Sequence, residues 1–261
     1  MIAVTSAQLD AWLAAFMFPL ARILGLFMAG PVFSNIALPQ NIRLVVGLVV
    51  TLAIAPALPP MPVVPAGSWI GLAIIAQQTI IGVLLGLSLR IAFVAVDIAG
   101  DLIGLQMGLS FAVFYDPTKG GQTAVVTEFF SLLAVLFFLS LDGHLLMLSL
   151  LAKSFTLMPV AVAPPAINGY ASLLAWAATM FLAGVLLSLP VIAALLIANI
   201  AMGVLSRVAP QLNLFAVGFP VTIVAGFVVV AISLPYFGAA LEHLYEQGFV
   251  AMNAIMKAAA G

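Results

Sequence analysis

The side chains that could carry chemistry gather in one stretch of this chain, residues 97–122. Asp97 and Asp101 are four residues apart, so both carboxylates would lie on one face of a helix. Arg90, seven residues before Asp97, lies close to the same line and neutralises that charge only in part. A catalytic pair of carboxylates is conceivable here, but no nucleophile, metal-ligand set or phosphate-binding loop lies nearby. We therefore expect this polar face to line a water-filled lumen or to meet a partner subunit.

Small residues follow the same helix at a regular spacing. Gly100, Gly104 and Gly108 recur every four residues and would form a smooth groove beside the carboxylates. Gly203 precedes Arg207 by the same interval in a later apolar run. Because glycines let two helix backbones approach closely, the pattern predicts close helix packing at these four glycines.

The second part of the stretch, residues 110–122, cannot continue as a helix. Asp116 precedes Pro117, which disfavours helical backbone, and Gly120 and Gly121 supply bends at little cost. The predicted loop carries three aromatic side chains, which are Phe111, Phe114 and Tyr115. A loop of this composition between apolar helices is either a solvated connection or a segment that fills a hole.

Asp142 and His144 lie inside a long apolar run, where ionisable groups are rare. They could form a proton relay of the kind that transporters use, or they could mark a local helix break whose polar groups pair with a neighbouring helix. His144 and His243 are the only imidazoles, so one chain cannot supply a multi-histidine metal site. No G-x-S-x-G nucleophile motif occurs either. We expect no enzyme activity, no metal and no cofactor.

Composition identifies the class of protein. Of the 261 residues, 66% are apolar and 6% are charged, whereas an ordinary soluble domain has about 25% charged residues. The formal net charge of -1 offers no basic surface for nucleic acid. The absence of cysteine removes disulfides, thiolate catalysis and cysteine-based metal sites. These features predict a membrane protein.

Long apolar stretches with Pro and Gly breaks account for most of the chain. About six such segments are long enough to consider as spans: 9–33, 42–58, a third that begins at Trp69 and reaches Arg90, 125–151, 170–202 and 214–237. The third passes Gly82 and Gly86, which form a small-xxx-small face. The fifth is too long for one untilted span and carries Pro190, where we expect a kink.

An amphipathic C-terminal helix follows the last apolar stretch. Its predicted apolar face contains Leu241, Leu244 and Met252, and Glu242 and Glu246 fall on the polar face. No strand alternation or short repeat is visible. We predict an all-α, polytopic membrane protein of long helical hairpins that forms one domain over residues 1–261.

Several charges would lie in or beside hydrocarbon if every stretch simply spanned the bilayer. These charges are Arg22, Arg90, Asp97, Asp101 and Asp142. On membrane-insertion scales, each of these charged side chains would raise the free energy of insertion by roughly 2.5–3.5 kcal/mol. We therefore expect protein partners or water beside these helices.

Four groups of motifs resemble one known family. They are residues 199–220; residues 106–112 with Asp116-Pro117; Arg22, Gly25, Pro31, Pro39 and Arg43; and Gly143-His144 with Ser154-Phe155 and Pro159. Together these residues resemble the FliR/SpaR/EscT-type family of type III secretion export-gate proteins, and the resemblance covers nearly the whole chain. Its flagellar members are the more similar.

The resemblance implies a core subunit of the flagellar protein export gate in the bacterial cytoplasmic membrane, within the flagellar basal body. It implies assembly with FliP and FliQ into a pore for unfolded flagellar proteins, with FlhB and FlhA nearby. Residues 1–165 would be a FliP-like front portion and residues 170–261 a FliQ-like closing hairpin. Residues 110–122 would form a plug in the pore.

The resemblance also assigns the remaining polar residues to the lumen or to contacts between subunits. These residues are Arg90, Asp97, Asp101, Gln106, Asp142, His144, Arg207 and Asn213. Two other functions stay open at this point. One is the virulence injectisome counterpart of the same gate, and the other is a secondary transporter, for which paired broken helices and a mid-membrane ion site would be expected.

Overall fold

The computed structural model describes residues 5–34, 38–109, 125–162, 164–209 and 214–261. These residues form α-helices, one short 3-10 turn at Ala55–Ala57, and connections, so the all-α prediction is confirmed. The helices within the described ranges are α1 (Ser6–Ala29), α2 (Gln40–Ile54), α3 (Trp69–Gln106), α4 (Val125–Ser140), α5 (Gly143–Leu157), α6 (Ile167–Val208) and α7 (Leu214–Ala260).

The chain divides into two compact units. Unit 1 comprises Met1–Ile91, Asp142–Ala177 and Tyr245–Gly261, and unit 2 comprises Ala92–Leu141 and Ala178–Leu244. Three long helices, α3, α6 and α7, contribute residues to both units. The subdivision at residues 165 and 170 that the family resemblance implies stays a prediction.

The first helix of unit 1 begins at a capping box. The Thr5 hydroxyl accepts a hydrogen bond from the Gln8 backbone N–H, and the Gln8 side chain accepts one from the Thr5 backbone N–H. These bonds satisfy backbone donors that would otherwise lack partners at the helix start. The helix then continues through Pro19 as far as Ala29.

Glycines bring α1 and α3 into close contact. A Cβ added at Gly82 would collide with the carbonyl oxygen of Arg22, and one added at Gly25 would collide with that of Thr79. A Cβ on Gly86 would lie 2.8 Å from the Gly30 nitrogen. The small-xxx-small face predicted at Gly82 and Gly86 is therefore a backbone-to-backbone contact within the chain.

The core of unit 1 draws on distant parts of the sequence. Phe27 of α1 and Leu85 of α3 belong to one buried cluster with Phe155 of α5 and Met256 of α7. At the very end of α7, the Ala259 carbonyl accepts a hydrogen bond from the Ala166 backbone N–H, just before α6 begins. The last turns of the chain therefore complete this core.

Aromatic contacts and close backbone approaches hold unit 2 together. The Phe130 and Phe237 rings lie 4.6 Å apart between centroids and join α4 to α7. Phe93 of α3 meets Phe138 of α4 edge to face at 5.5 Å. A Cβ on Gly100 would lie 2.6 Å from the Thr127 Cα, so α3 also passes very close to the first turn of α4.

One apolar run is divided by a helix break, and another helix continues beyond its expected end. The apolar run 125–151 is broken at Asp142, whose φ of 54° cannot occur within a right-handed helix. Residues 214–260, by contrast, form one helix that continues through Pro220 and Pro235. Near Pro235, the contact of Phe237 with Phe130 and that of Gly238 with Phe137 hold the backbone in place, and this packing outweighs the local cost of proline.

Within the described ranges, five helices are long and apolar enough to cross a membrane, and α4 with α5, bent at their junction, could count as one more. Much of this apolar surface stays exposed on the chain itself. In the most apolar part of α6 only 22% of the residues are buried, and in that of α7 only 11%. The membrane class and the expected number of apolar segments are confirmed.

The glycine contact makes a direct prediction. Gly82→Ala should lower the free energy of unfolding by about 1–3 kcal/mol, because the added methyl group has no room beside the Arg22 carbonyl. Gly203→Ala is the matched control, since a Cβ there meets no atom within 4 Å and alanine favours a helix by about 1 kcal/mol over glycine. Denaturation of the purified chain in detergent micelles measures both, and equal stability of the two variants would contradict the close contact.

Candidate functional site

Among the described residues the most deeply buried charge is Arg22, whose side chain has no solvent exposure. Its Nε donates to the Gln78 Oε1 at 2.8 Å, Nη1 to the Ser154 hydroxyl at 3.0 Å, and Nη2 to the Met158 carbonyl at 2.8 Å. The guanidinium carbon lies 4.1 Å from the centre of the Phe155 ring. One side chain of α1 thereby joins α3 and the end of α5.

These partners of Arg22 are all neutral, and the charge is stabilised in other ways. Met158 is the C-terminal cap of α5, where the helix carries partial negative charge on carbonyls that lack helical partners. The face of the Phe155 ring adds a cation–π contact. The expectation that Arg22 needs protein partners or water is thus met by groups of the same chain.

The polar segment of α3 distributes its charges between different neighbours. Arg90 is exposed, and its Nη1 donates to the Ser34 hydroxyl. Asp97 and Gln106 are half-buried, and Asp101 is exposed. The Asp101 Oδ1 accepts a hydrogen bond of 2.5 Å from the Thr127 hydroxyl of α4. Arg90 and Asp101 therefore have separate hydrogen-bond partners.

The glycines of this segment differ in what they do. Gly100 lies against Thr127, as described above, and Gly104 is buried. Gly108 has a φ of 81°, and its N–H donates to the Leu105 carbonyl while the Leu109 N–H donates to the Gly104 carbonyl. This pair of bonds is a Schellman motif, so Gly108 ends α3. A residue other than glycine is strained at that φ.

The break before α5 is built on Asp142, which is exposed and in the left-handed region at the cap position. His144 is half-buried, and its Nδ1 atom has no hydrogen-bond partner within the described part of the chain. The local helix break predicted at residues 142–144 is confirmed, whereas the described residues show no pairing of the His144 Nδ1 atom with a neighbouring helix. The lumenal or inter-subunit role of both residues stays a prediction.

The C-terminal end of α6 is open to the surroundings. Asn199, Gly203 and Arg207 are all exposed, and they follow one another at intervals of four on one side of the helix. Arg207 lies in the last turn, where a cation is favoured by the helix dipole. Among the described residues no atom lies within 4 Å of a Cβ added at Gly203, so the close packing predicted there stays a prediction.

Several residues that the sequence singled out fall outside the described ranges. They are Phe111, Phe114, Tyr115, Asp116, Pro117, Gly120, Gly121 and Asn213. The helices on either side of residues 110–124 are α3, which ends at Gln106, and α4, which begins at Val125. On the incoming side, the Met107 carbonyl accepts a bond of 3.4 Å from the Thr222 hydroxyl, and the Met107 side chain packs against Gly226.

An apolar cavity of about 250 Å³ lies beside these two helix ends. It is lined by Met107 at the end of α3, by Val126 and Phe129 of α4, and by Phe227 and Val230 of α7, among others. In the described part of the chain no group of three or more His, Asp or Glu side chains could hold a metal ion.

Sequence reasoning flagged Arg22 only as a charge in hydrocarbon and missed its partners. The sequence does not indicate that Gln78 and Ser154 contact Arg22, because they come from helices far apart along the chain. Thr127 was missed in the same way as the partner of Asp101. A polar residue in the middle of an apolar helix is the one signal that could have found them.

Comparison with known proteins gives a consistent result. The family described as "Bacterial export proteins, family 1" matches residues 13–248. The chain is 42% identical over 249 residues to "Flagellar biosynthetic protein FliR" of Pectobacterium carotovorum subsp. carotovorum, with 95% of each chain covered. It is 40% identical to the protein of that name from Escherichia coli (strain K12), also with 95% of each covered. The Caulobacter vibrioides protein of that name is 32% identical, with 85% of this chain and 88% of its own length covered.

The buried guanidinium predicts a specific order of stabilities. Arg22→Met should lower the free energy of unfolding by about 3 kcal/mol or more, because each buried acceptor left unpaired costs roughly 1–3 kcal/mol. Arg22→Lys should be intermediate, since it keeps the charge but loses the planar fork. Arg90→Met is the control, because this exposed arginine should cost no more than about 0.5 kcal/mol. Denaturation in detergent micelles gives the order, and an Arg22→Met protein as stable as Arg90→Met would contradict the assignment.

Proposed function

This chain belongs to the bacterial export proteins, family 1, and from that membership we propose that it is a core subunit of the flagellar type III protein export gate. In this proposal it assembles with FliP and FliQ into a pore through which unfolded flagellar proteins pass. FlhB and FlhA would lie nearby, and the assembly would belong to the basal body in the bacterial cytoplasmic membrane. The flagellar name of the relatives favours this gate over its injectisome counterpart.

The observation that carries the proposal is apolar surface in excess of what a bilayer can cover. With 42 and 47 residues, α6 and α7 are about 63 Å and 70 Å long at 1.5 Å per residue. The hydrocarbon core of a bilayer is only about 30 Å thick. Since few residues are buried within this chain in the most apolar part of each helix, we infer that other protein subunits cover what the bilayer leaves exposed.

A transporter that works alone fits this surface less well. Such a protein would keep its ion site and its long helices packed within one chain. Here the end of α6 instead presents Asn199, Gly203 and Arg207 outward. Polar side chains beside an open glycine suit the close approach of a helix from another subunit.

We further propose that residues 110–122 act as a plug in the pore. Phe111, Phe114 and Tyr115 supply bulk that can obstruct a narrow passage, and Gly120 and Gly121 permit the segment to move aside. This proposal rests on the sequence and on the family resemblance, because the segment lies outside the described residues.

Co-purification tests the assembly. A tagged chain expressed with the FliP and FliQ proteins of the same bacterium should be recovered with both in one detergent-stable complex. Gly203→Leu and Arg207→Ala should reduce recovery of the partners, because the first blocks close approach and the second removes a charge-assisted contact worth roughly 1.5–3 kcal/mol. Gly203→Ala and Arg207→Lys are the matched controls, and they should reduce the recovery of FliP and FliQ by less. Purification of the parent chain without either partner would overturn the proposed assembly.

Conductance tests the plug. In the purified complex, replacement of Phe111, Phe114 and Tyr115 by Ala should raise the ion conductance across a planar bilayer while the complex elutes unchanged. The expected gain follows from the lost aromatic volume in a narrow passage. If the mutant complex assembles and its ion conductance equals that of the parent, these side chains do not close the pore.

A further inference from the structure

The first turn of α4 is joined to α3 by two contacts that meet at a single residue, Thr127. The backbones approach so closely at Gly100 that no side chain would fit there. Next to that contact, the Thr127 hydroxyl donates to the Asp101 carboxylate. Gly100 allows the two helices to approach. The hydrogen bond then fixes the position of α4 along α3, because only one placement of α4 brings the Thr127 hydroxyl to the Asp101 carboxylate.

The surroundings favour a strong bond. Thr127 is only 7% exposed, so water competes little for its hydroxyl, whereas the exposed Asp101 keeps its charge in contact with the surroundings. A hydrogen bond to an ionised acceptor is stronger than one between neutral groups. Thr127 also lies in the first turn of α4, where the helix dipole favours a nearby carboxylate.

The position of this contact along the chain is what makes it consequential. Asp101 lies five residues before the end of α3, and Thr127 is the third residue of α4, so the bond closes the connection between the two helices. The other end of that connection is held separately, by Thr222 and Gly226 of α7 against Met107. Each end of the connection thus has its own attachment to the helices of unit 2.

We propose that Asp101 and Thr127 form a positioning latch that sets where the connection between α3 and α4 returns to the helices. Neither residue is needed for α3 or α4 to be helical, so loss of the latch should let the ends of the two helices separate without unfolding them. The latch itself does not depend on the proposed export function. Its importance for a pore does rest on that proposal.

Because the chain contains no cysteine, introduced cysteines can be labelled selectively to measure the separation of α3 and α4. Leu105→Cys on α3 and Leu132→Cys on α4 introduce two exposed labelling sites, each outside the latch. Spin labels at these sites report the distribution of distances between the helices by pulsed electron paramagnetic resonance. The full-length chain is measured in detergent micelles, both alone and in the complex with FliP and FliQ.

The substitutions separate a hydrogen-bond latch from ordinary packing. Thr127→Val keeps the shape and removes the hydroxyl, and Thr127→Ser keeps the hydroxyl and removes the methyl group. We expect Thr127→Val and Asp101→Ala to raise the fraction of separated helices roughly ten- to a hundredfold, the range that loss of one hydrogen bond to a charged group gives. Thr127→Ser should match the parent, and Asp101→Asn should be intermediate because it keeps an acceptor without the charge.

Glu128→Gln is the control, because it removes an acid from the same helical turn without touching the latch. It should leave the distance distribution unchanged. The proposed latch is overturned if the distance distribution of Thr127→Val is as narrow as that of the parent. It is also overturned if the distribution of Thr127→Ser is as broad as that of Thr127→Val. In either case Thr127 contributes only to packing. Failure of the complex to form would count against the proposed assembly alone, since the latch is then judged on the isolated chain.

Discussion

Arg22 carries a positive charge into a place that water does not reach, and the helices around it supply what water would. Gln78 and Gly82 lie one turn apart on α3, so the close approach at the glycine brings the Gln78 amide within reach of the guanidinium. The last turn of α5 contributes the Ser154 hydroxyl and the Met158 carbonyl. Three features therefore depend on one another: the buried charge of Arg22, the glycine contact between α1 and α3, and the end of α5. Moving any one of them would leave a buried polar group unpaired.

A similar logic holds in unit 2 on a smaller scale. Gly100 permits the approach of α4 to α3, and Asp101, the next residue, accepts the hydroxyl of the helix that has approached. In both units a small residue and a polar residue work together, because apolar side chains alone give little directional preference between helices. This combination explains how so apolar a chain can specify one packing.

The class of fold was accessible from sequence because composition and apolar run length decide it. The contacts were not, and the glycines show why. Gly82, Gly100 and Gly203 all lie within apolar helices, yet the first two meet the backbone of another helix and the third meets no atom of the described residues within 4 Å of an added Cβ. Gly108 continues the same series but ends α3 in the left-handed region. The spacing of glycines in the sequence identifies which face of a helix is smooth. Which helix packs against that face depends on how distant parts of the chain come together. The lumenal and inter-subunit roles of the polar residues stay predictions for the same reason.

The hydrogen bond between Ala166 and Ala259 has a consequence for how the chain is made. Domains generally fold as units during synthesis, N-terminal domains first. Unit 1 joins residues that are made far apart in time, because the core around Phe27 also contains Met252 and Met256. We expect its first helix to complete its packing only after residues 252–256 have been synthesised. During that interval the membrane or a chaperone has to shield α1, so the rate of translation and insertion bears directly on the yield of folded protein.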